Sequence, residues 1–305
     1  MRRGEASRGD VAVGHAVPRR LPWTILLDAF LVSSLAAQSA LPAFPGSTRA
    51  AGLGGAGAAL VGDAGAVFAN PAAIATVHRL ALDGSYEQYL GGTTFGAGAL
   101  ALRLGRFDWG VGAQALADAS FSRADLLGVS SFVLRAGVIA LGASAKYARQ
   151  QLGGVTADAW AGDAGLAIAV FDIMALGVSV QNIGGELGGG AGGAGGAHLP
   201  RRTRAGFTMN YVDPQGTYRL LTTVEGQWPD TGSAFVVVGL EAGVVTHRVG
   251  LLGRTGYVGH SLATAASPFT FGGTVELGRF HLDYAHRALG GAAGDTHRFG
   301  LRWTP

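Results

Sequence analysis

Residues 49–75 read RAAGLGGAGAALVGDAGAVFANPAAIA, and the fold turns on whether this stretch is a linker or a packed segment. Eight of its first ten residues are Gly or Ala, its one acid is Asp63, and Asn70-Pro71 is a turn signal. From about residue 79 to Trp303 the chain changes character and falls into short alternating apolar and polar runs, the period of β-strands. A small-residue segment ahead of a long β region predicts a plug in front of a barrel. Small side chains let such a segment lie close against an inner wall, and a wide barrel needs filling.

Composition supports the barrel. Charged residues make up 14% of the chain against ~25% in ordinary domains, and 52 of 305 residues are glycine, about 17% against ~7%. Low charge with high glycine suits a wall that faces lipid on one side and is closely approached on the other. The chain has no cysteine, which excludes disulfides, thiol catalysis and thiolate metal sites. Residues 1–37 carry five arginines and three acids, leaving 18 basic against 17 acidic residues beyond them. With no basic patch or stripe visible, no nucleic-acid partner is expected.

Arg19-Arg20 precedes an apolar run from Leu21 to Leu35 and then Ala36, Ala37, Ser39 and Ala40, the order of a secretory signal. Residues 1–37 are therefore read as a signal peptide cleaved near Ala36 or Ala37, residues 38–78 as a hatch or plug, and 79–305 as the barrel. The apolar run is interrupted by Asp28 and falls short of the ~20 residues a spanning helix needs. No later stretch is apolar enough either, so membrane crossing falls to strands.

Fourteen strands are predicted, at about 79–89, 93–104, 107–117, 129–138, 140–150, 160–170, 173–182, 202–212, 217–227, 234–246, 248–257, 269–278, 280–287 and 296–303. Ten residues at ~3.3 Å each and ~40° tilt span about 25 Å, the height of an outer-membrane apolar band. Long connections at 118–128, 151–159, 183–201, 258–268 and 288–295 alternate with tight ones such as Gly105-Arg106 and Gly278-Arg279. That asymmetry predicts external loops at one end and periplasmic turns, with both chain termini, at the other. The tract Gly188–Ala197 in the longest loop reads as a flexible linker.

The two faces separate as a lipid-embedded wall requires. Phe299, Leu301 and Trp303 oppose Arg298 and Arg302, and Phe280, Leu282 and Tyr284 oppose His281 and Asp283. Aromatic residues cluster at both strand ends, as in interfacial girdles. Eight inward cations, among them Lys146, Arg204, Arg254 and Arg298, meet six inward acids, among them Asp163, Glu225, Glu241 and Asp283. Near balance points to an internal ion-pair network, because an ion-selective lumen would show one dominant sign. Arg49 and Asp63 are expected to pair with these lumen charges.

Chemical motifs are weak. Gly52-Leu53-Gly54-Gly55-Ala56-Gly57 satisfies G-x-G-x-x-G but lacks the preceding strand and the βαβ unit of a dinucleotide site. Gly259-His260-Ser261-Leu262-Ala263 approximates a nucleophile elbow but falls in a loop between antiparallel strands. The eight histidines show no paired ligand spacing, and His281, His286 and His297 read as lumen, rim and loop residues. No catalytic residue, cofactor or metal site is expected.

The run Arg49–Ala56, then Asp63-Ala64-Gly65-Ala66-Val67-Phe68-Ala69-Asn70-Pro71-Ala72, resembles the N-terminal signature of the PorV/PorQ-like outer-membrane proteins, relatives of the FadL channel. Val180-Gln181-Asn182-Ile183-Gly184, Asp283-Tyr284-Ala285-His286 and Gly294–Phe299 extend the resemblance over residues 47–303. Thr304-Pro305, after the expected terminal aromatic Trp303, depart from it. The resemblance implies an all-β, antiparallel up-and-down transmembrane barrel of about fourteen strands in the outer membrane. Its N-terminal hatch would lie in the lumen and include Arg49, Gly52, Gly54, Gly55, Asp63, Asn70 and Pro71. It implies a non-enzymatic protein that binds or presents secreted proteins with other envelope components in type IX-like secretion. The alternative is a FadL-like channel for hydrophobic small molecules, gated by the hatch.

Overall fold

In the computed structural model of the chain the described residues are Met1, 41–89, 92–118, 120, 122–171, 173–189, 197–212, 216–246, 249–259, 266–290 and 294–305. The predicted signal peptide, most of the 188–197 tract and Ser261 of the elbow-like motif lie outside them.

The β region forms β1 (Leu80–Gln88), β2 (Thr94–Leu104), β3 (Phe107–Asp118), β4 (Arg123–Ala136), β5 (Ile139–Leu152), β6 (Val155–Val170), β7 (Met174–Ile183), β8 (Glu186–Gly189), β9 (Ala197–His198), β10 (Arg202–Asn210), β11 (Tyr218–Pro229), β12 (Phe235–Val245), β13 (Val249–Val258), β14 (Phe269–Leu277), β15 (Phe280–Gly290) and β16 (Gly294–Trp303). Fourteen of these make the wall, each paired antiparallel with its neighbour. The first and last strands close it, in a register running from Leu82 opposite Trp303 to Gln88 opposite His297. The other two, β8 and β9, form a short flap that extends the upper end of β6.

The faces are inverted relative to a water-soluble protein. Phe132, Leu141, Leu240, Leu251 and Phe271 are exposed, whereas Lys146, Glu225, Glu241, Arg254 and Asp283 are buried. In a sheet closed on itself this means an apolar outer wall and a polar interior, the arrangement of a membrane-spanning barrel. Exposed aromatics ring both ends, Trp160, Trp228 and Phe269 at one and Phe107, Phe171 and Phe280 at the other.

Three predicted loops shrink, that at 288–295 because β15 runs to Gly290 and β16 starts at Gly294. β4 starts at Arg123 and β6 at Val155, so the connection after β5 is a two-residue Gly153-Gly154 turn with positive φ at both positions. Here Asp125 and Gln150 point inward and are buried while Leu126 and Gln151 point out, so the period-two alternation of burial persists.

Residues 41–77 pack against the inward face. Short helical turns form at Leu41–Ala43, Thr48–Gly52, Ala64–Phe68 and Pro71–Thr76, and the last three are started by side-chain caps: Ser47 accepts from Ala50 N, Asp63 from Gly65 N, and Asn70 from Ala72 N with Pro71 at the first helical position. Val67, Phe68 and Ile74 join wall residues Ala101, Val133 and Ala140 in one buried apolar cluster. Glycines supply the clearance. A Cβ on Gly165 would stand 2.0 Å from Asn70 Oδ1, and one on its cross-strand partner Gly142 would stand 2.6 Å from Ala72 N.

Candidate functional site

The inner segment is held by charge and by backbone bonds. Arg49 donates to Glu241 twice, Nε to Oε2 at 3.0 Å and Nη2 to Oε1 at 2.8 Å. Arg254 also donates to Glu241 and reaches Asp283, which Arg302 holds from the other side at 2.6 Å. Cations and acids thus alternate from Arg49 to Arg302, so each buried charge faces its opposite. Burial alone would lower the pKa of Arg49, but the Glu241 carboxylate outweighs it and raises the value above that of an ordinary guanidinium.

Other wall residues bind the segment's backbone. The Glu225 carboxylate accepts from Gly57 N at 2.8 Å, Ala58 N at 2.7 Å and Arg204 Nε at 2.6 Å. Ser179 and Gln181 donate to the carbonyls of Ala69 and Phe68, and Asn70 Nδ2 donates to the Leu166 carbonyl at 3.1 Å. Thr270 bridges Gly52 O and Gly54 N, each at 3.0 Å. Gly54 and Gly55 take positive φ just after the Thr48–Gly52 turn, and Gly55 O accepts from Arg204.

One expected pairing differs. Asp63 is turned within the segment, taking Ser47 Oγ at 2.5 Å and Gly65 N at 2.9 Å. An acid that caps a turn and holds a nearby hydroxyl has its acceptors occupied, which leaves Arg49 as the segment's charged link to the wall.

At the end of the barrel opposite the Gly105-Arg106 and Gly278-Arg279 turns, a cavity of about 220 Å³ opens between the segment and the wall. Phe44, Pro45 and Gly54 form its floor, and Tyr89, Ala285 and Leu289 part of its side. Phe44 stacks on Phe95, with centroids 4.7 Å apart and planes 14° apart, and meets Tyr89 edge-on at 6.1 Å. Burial and the neighbouring Glu87 both raise the Tyr89 pKa, so its phenol stays protonated. Benzene enters a dry apolar cavity of ~150 Å³, so this one admits a molecule of one ring. Among the described residues no group of three His, Asp or Glu side chains is placed to hold a metal ion.

The sequence placed Arg298 inward but gave no sign of the cavity. Its residues come from residues 44–55 of the inner segment, from the end of β1 (Glu87) and Tyr89 just after it, and from β14, β15 and β16, and the closing register sets Glu87 opposite Arg298.

No family model matches the chain, and no curated protein matches it significantly. Solved structures do. The Ralstonia pickettii toluene transporter TbuX superposes with a TM-score of 0.57 at 14% identity, over 85% of this chain and 98% of that one. A Pseudomonas aeruginosa FadL homologue gives 0.58 at 12%, over 85% and 98%. The monoaromatic hydrocarbon channel CymD gives 0.57 at 14%, over 84% and 95%. At these identities the likeness is one of fold. The relation to FadL-type barrels implied by the sequence holds at that level, while nothing in these structures supports the narrower PorV/PorQ resemblance.

Proposed function

We propose that the chain is a non-enzymatic outer-membrane channel for hydrophobic small molecules. In this reading residues 38–78 are a hatch in the lumen, 79–305 form the barrel, and both termini face the periplasm. The observation that carries the proposal is the cavity between Phe44 and the wall, apolar on most sides and sized for one ring. The likeness in fold to channels described as carrying toluene and monoaromatic hydrocarbons supports it. Arg49, Gly52, Gly54, Gly55, Asp63, Asn70 and Pro71 serve as structural elements of the hatch. Nothing in the similar solved structures supports presentation of secreted proteins.

Toluene uptake by cells lacking their own hydrocarbon channels tests this reading. Expression of the chain should raise uptake, and Ala285→Phe, which fills the cavity from the wall, should abolish the gain. Uptake no better than that of cells without the chain would overturn the proposal.

A further inference from the structure

The cavity carries more hydrogen-bond donors than a hydrocarbon needs. Arg298 is buried, 1% exposed, with its guanidinium over the Phe95 ring 4.6 Å from the centroid. Its Nη2 donates to Ser85 Oγ at 2.8 Å, but Nε and Nη1 have no hydrogen-bond partner. Glu87 Oε2 stands 3.8 Å from Nη1, close enough for attraction and too far for a hydrogen bond. Arg287, on the same cavity, has its buried Nε without a partner as well. Two guanidiniums and one carboxylate therefore line a largely apolar space, with three buried guanidinium nitrogens left without a partner.

A buried cation with free donors is a site for an anion, and a planar guanidinium matches the two oxygens of a carboxylate. Phe44, Ala285 and Leu289 offer the same ligand an apolar surface. We infer that the preferred ligand is a small aromatic carboxylate, its acid group on Arg298 and Arg287 and its ring in the apolar part of the cavity. This inference rests on the channel reading and narrows its substrate class.

Calorimetric binding of benzoate and of toluene to the purified barrel at neutral pH, with uptake of both measured in cells, separates the two claims. Benzoate should bind at least tenfold more tightly than toluene. Arg298→Gln should lower benzoate affinity at least tenfold while toluene affinity stays within twofold, and Arg287→Gln should lower it less. Migration as a heat-modifiable folded barrel on a gel controls for folding, and Arg298→Lys, which keeps the charge but loses the fork, should be intermediate. Toluene binding as tightly as benzoate, with neither variant changing the ratio, would overturn the inference and leave the channel standing, the free donors then being water sites. Failure of both probes to bind and to enter cells would overturn both.

Discussion

Arg49 and Glu241 are 192 residues apart in sequence and form a two-pronged ion pair that ties the inner segment to β12. Glu241 also neutralises Arg254, so the partners are not equivalent. Glu241→Ala leaves Arg49 buried without its acid and Arg254 with Asp283 alone, and breaking a buried pair in this way costs about 3–5 kcal/mol. Arg49→Met leaves Glu241 paired with Arg254 and should cost less. Thermal unfolding in detergent is expected to rank the variants wild type, Arg49→Met, Glu241→Ala, with the last also leaking small dyes from proteoliposomes. An unchanged melting temperature for Glu241→Ala would show that this pair does not hold the segment.

The glycines Gly142 and Gly165 make a second prediction, about space rather than charge. Gly165→Val would drive a Cβ into Asn70, and overpacking of this kind costs about 1–3 kcal/mol where neighbours cannot yield. The wall is tied by its strand ladder and the segment by fewer bonds, so the segment should move. A folded barrel whose residues 60–62 become open to protease is the expected result. Gly128→Ala is the control, because its Cβ meets nothing within 4 Å, and it should leave proteolysis unchanged.

The strands were legible because a lipid-facing wall imposes period two along most of its length: Phe280, Leu282 and Tyr284 against His281 and Asp283 reads the same in sequence and in structure. The segment was legible as a compact unit from its caps and small residues, but its partners were not. Asp63 looks like a free lumen charge until the fold brings Ser47 Oγ to it. The start of β4 was hidden because Arg123 and Asp125 face a polar interior, so an inward polar strand and a solvated loop have the same composition. The cavity depends on the register between β1 and β16, and no local pattern encodes which residue of one strand stands opposite which of another.

The outer face of β12 tests the lipid wall directly. Leu240 lies mid-strand and exposed, with Val236 on the same face near the strand end. An arginine at the bilayer midplane of a barrel costs about 2–4 kcal/mol, falling to about 0–1 near the interface. Leu240→Arg should therefore lower stability in lipid vesicles far more than Val236→Arg, as read from urea midpoints. Equal and small effects would mean that water, not lipid, covers this face.

Lys146 and Asp163 provide the last prediction. Lys146 is 1% exposed, its Nζ lies 2.7 Å from Asp163 Oδ2, and it donates to Asn182 Oδ1 at 3.2 Å. Asp163 also accepts from Asn182 N at 2.8 Å, fixing a residue with φ of 59° just before the β8–β9 flap, and Asn182 Nδ2 holds the Pro200 carbonyl at the flap's far end. Asp163→Leu removes the acid and strands the lysine, with an expected loss of about 3–5 kcal/mol. Adding Lys146→Met removes the stranded charge, so the double variant should recover most of the loss, since contacting residues are strongly non-additive. Recovery should appear in the urea midpoint alone. The flap should stay protease-sensitive in both variants, because neither replacement restores an acceptor for Asn182 N. A double variant no more stable than Asp163→Leu would place the cost in the lost Asn182 bond and not in the buried charge.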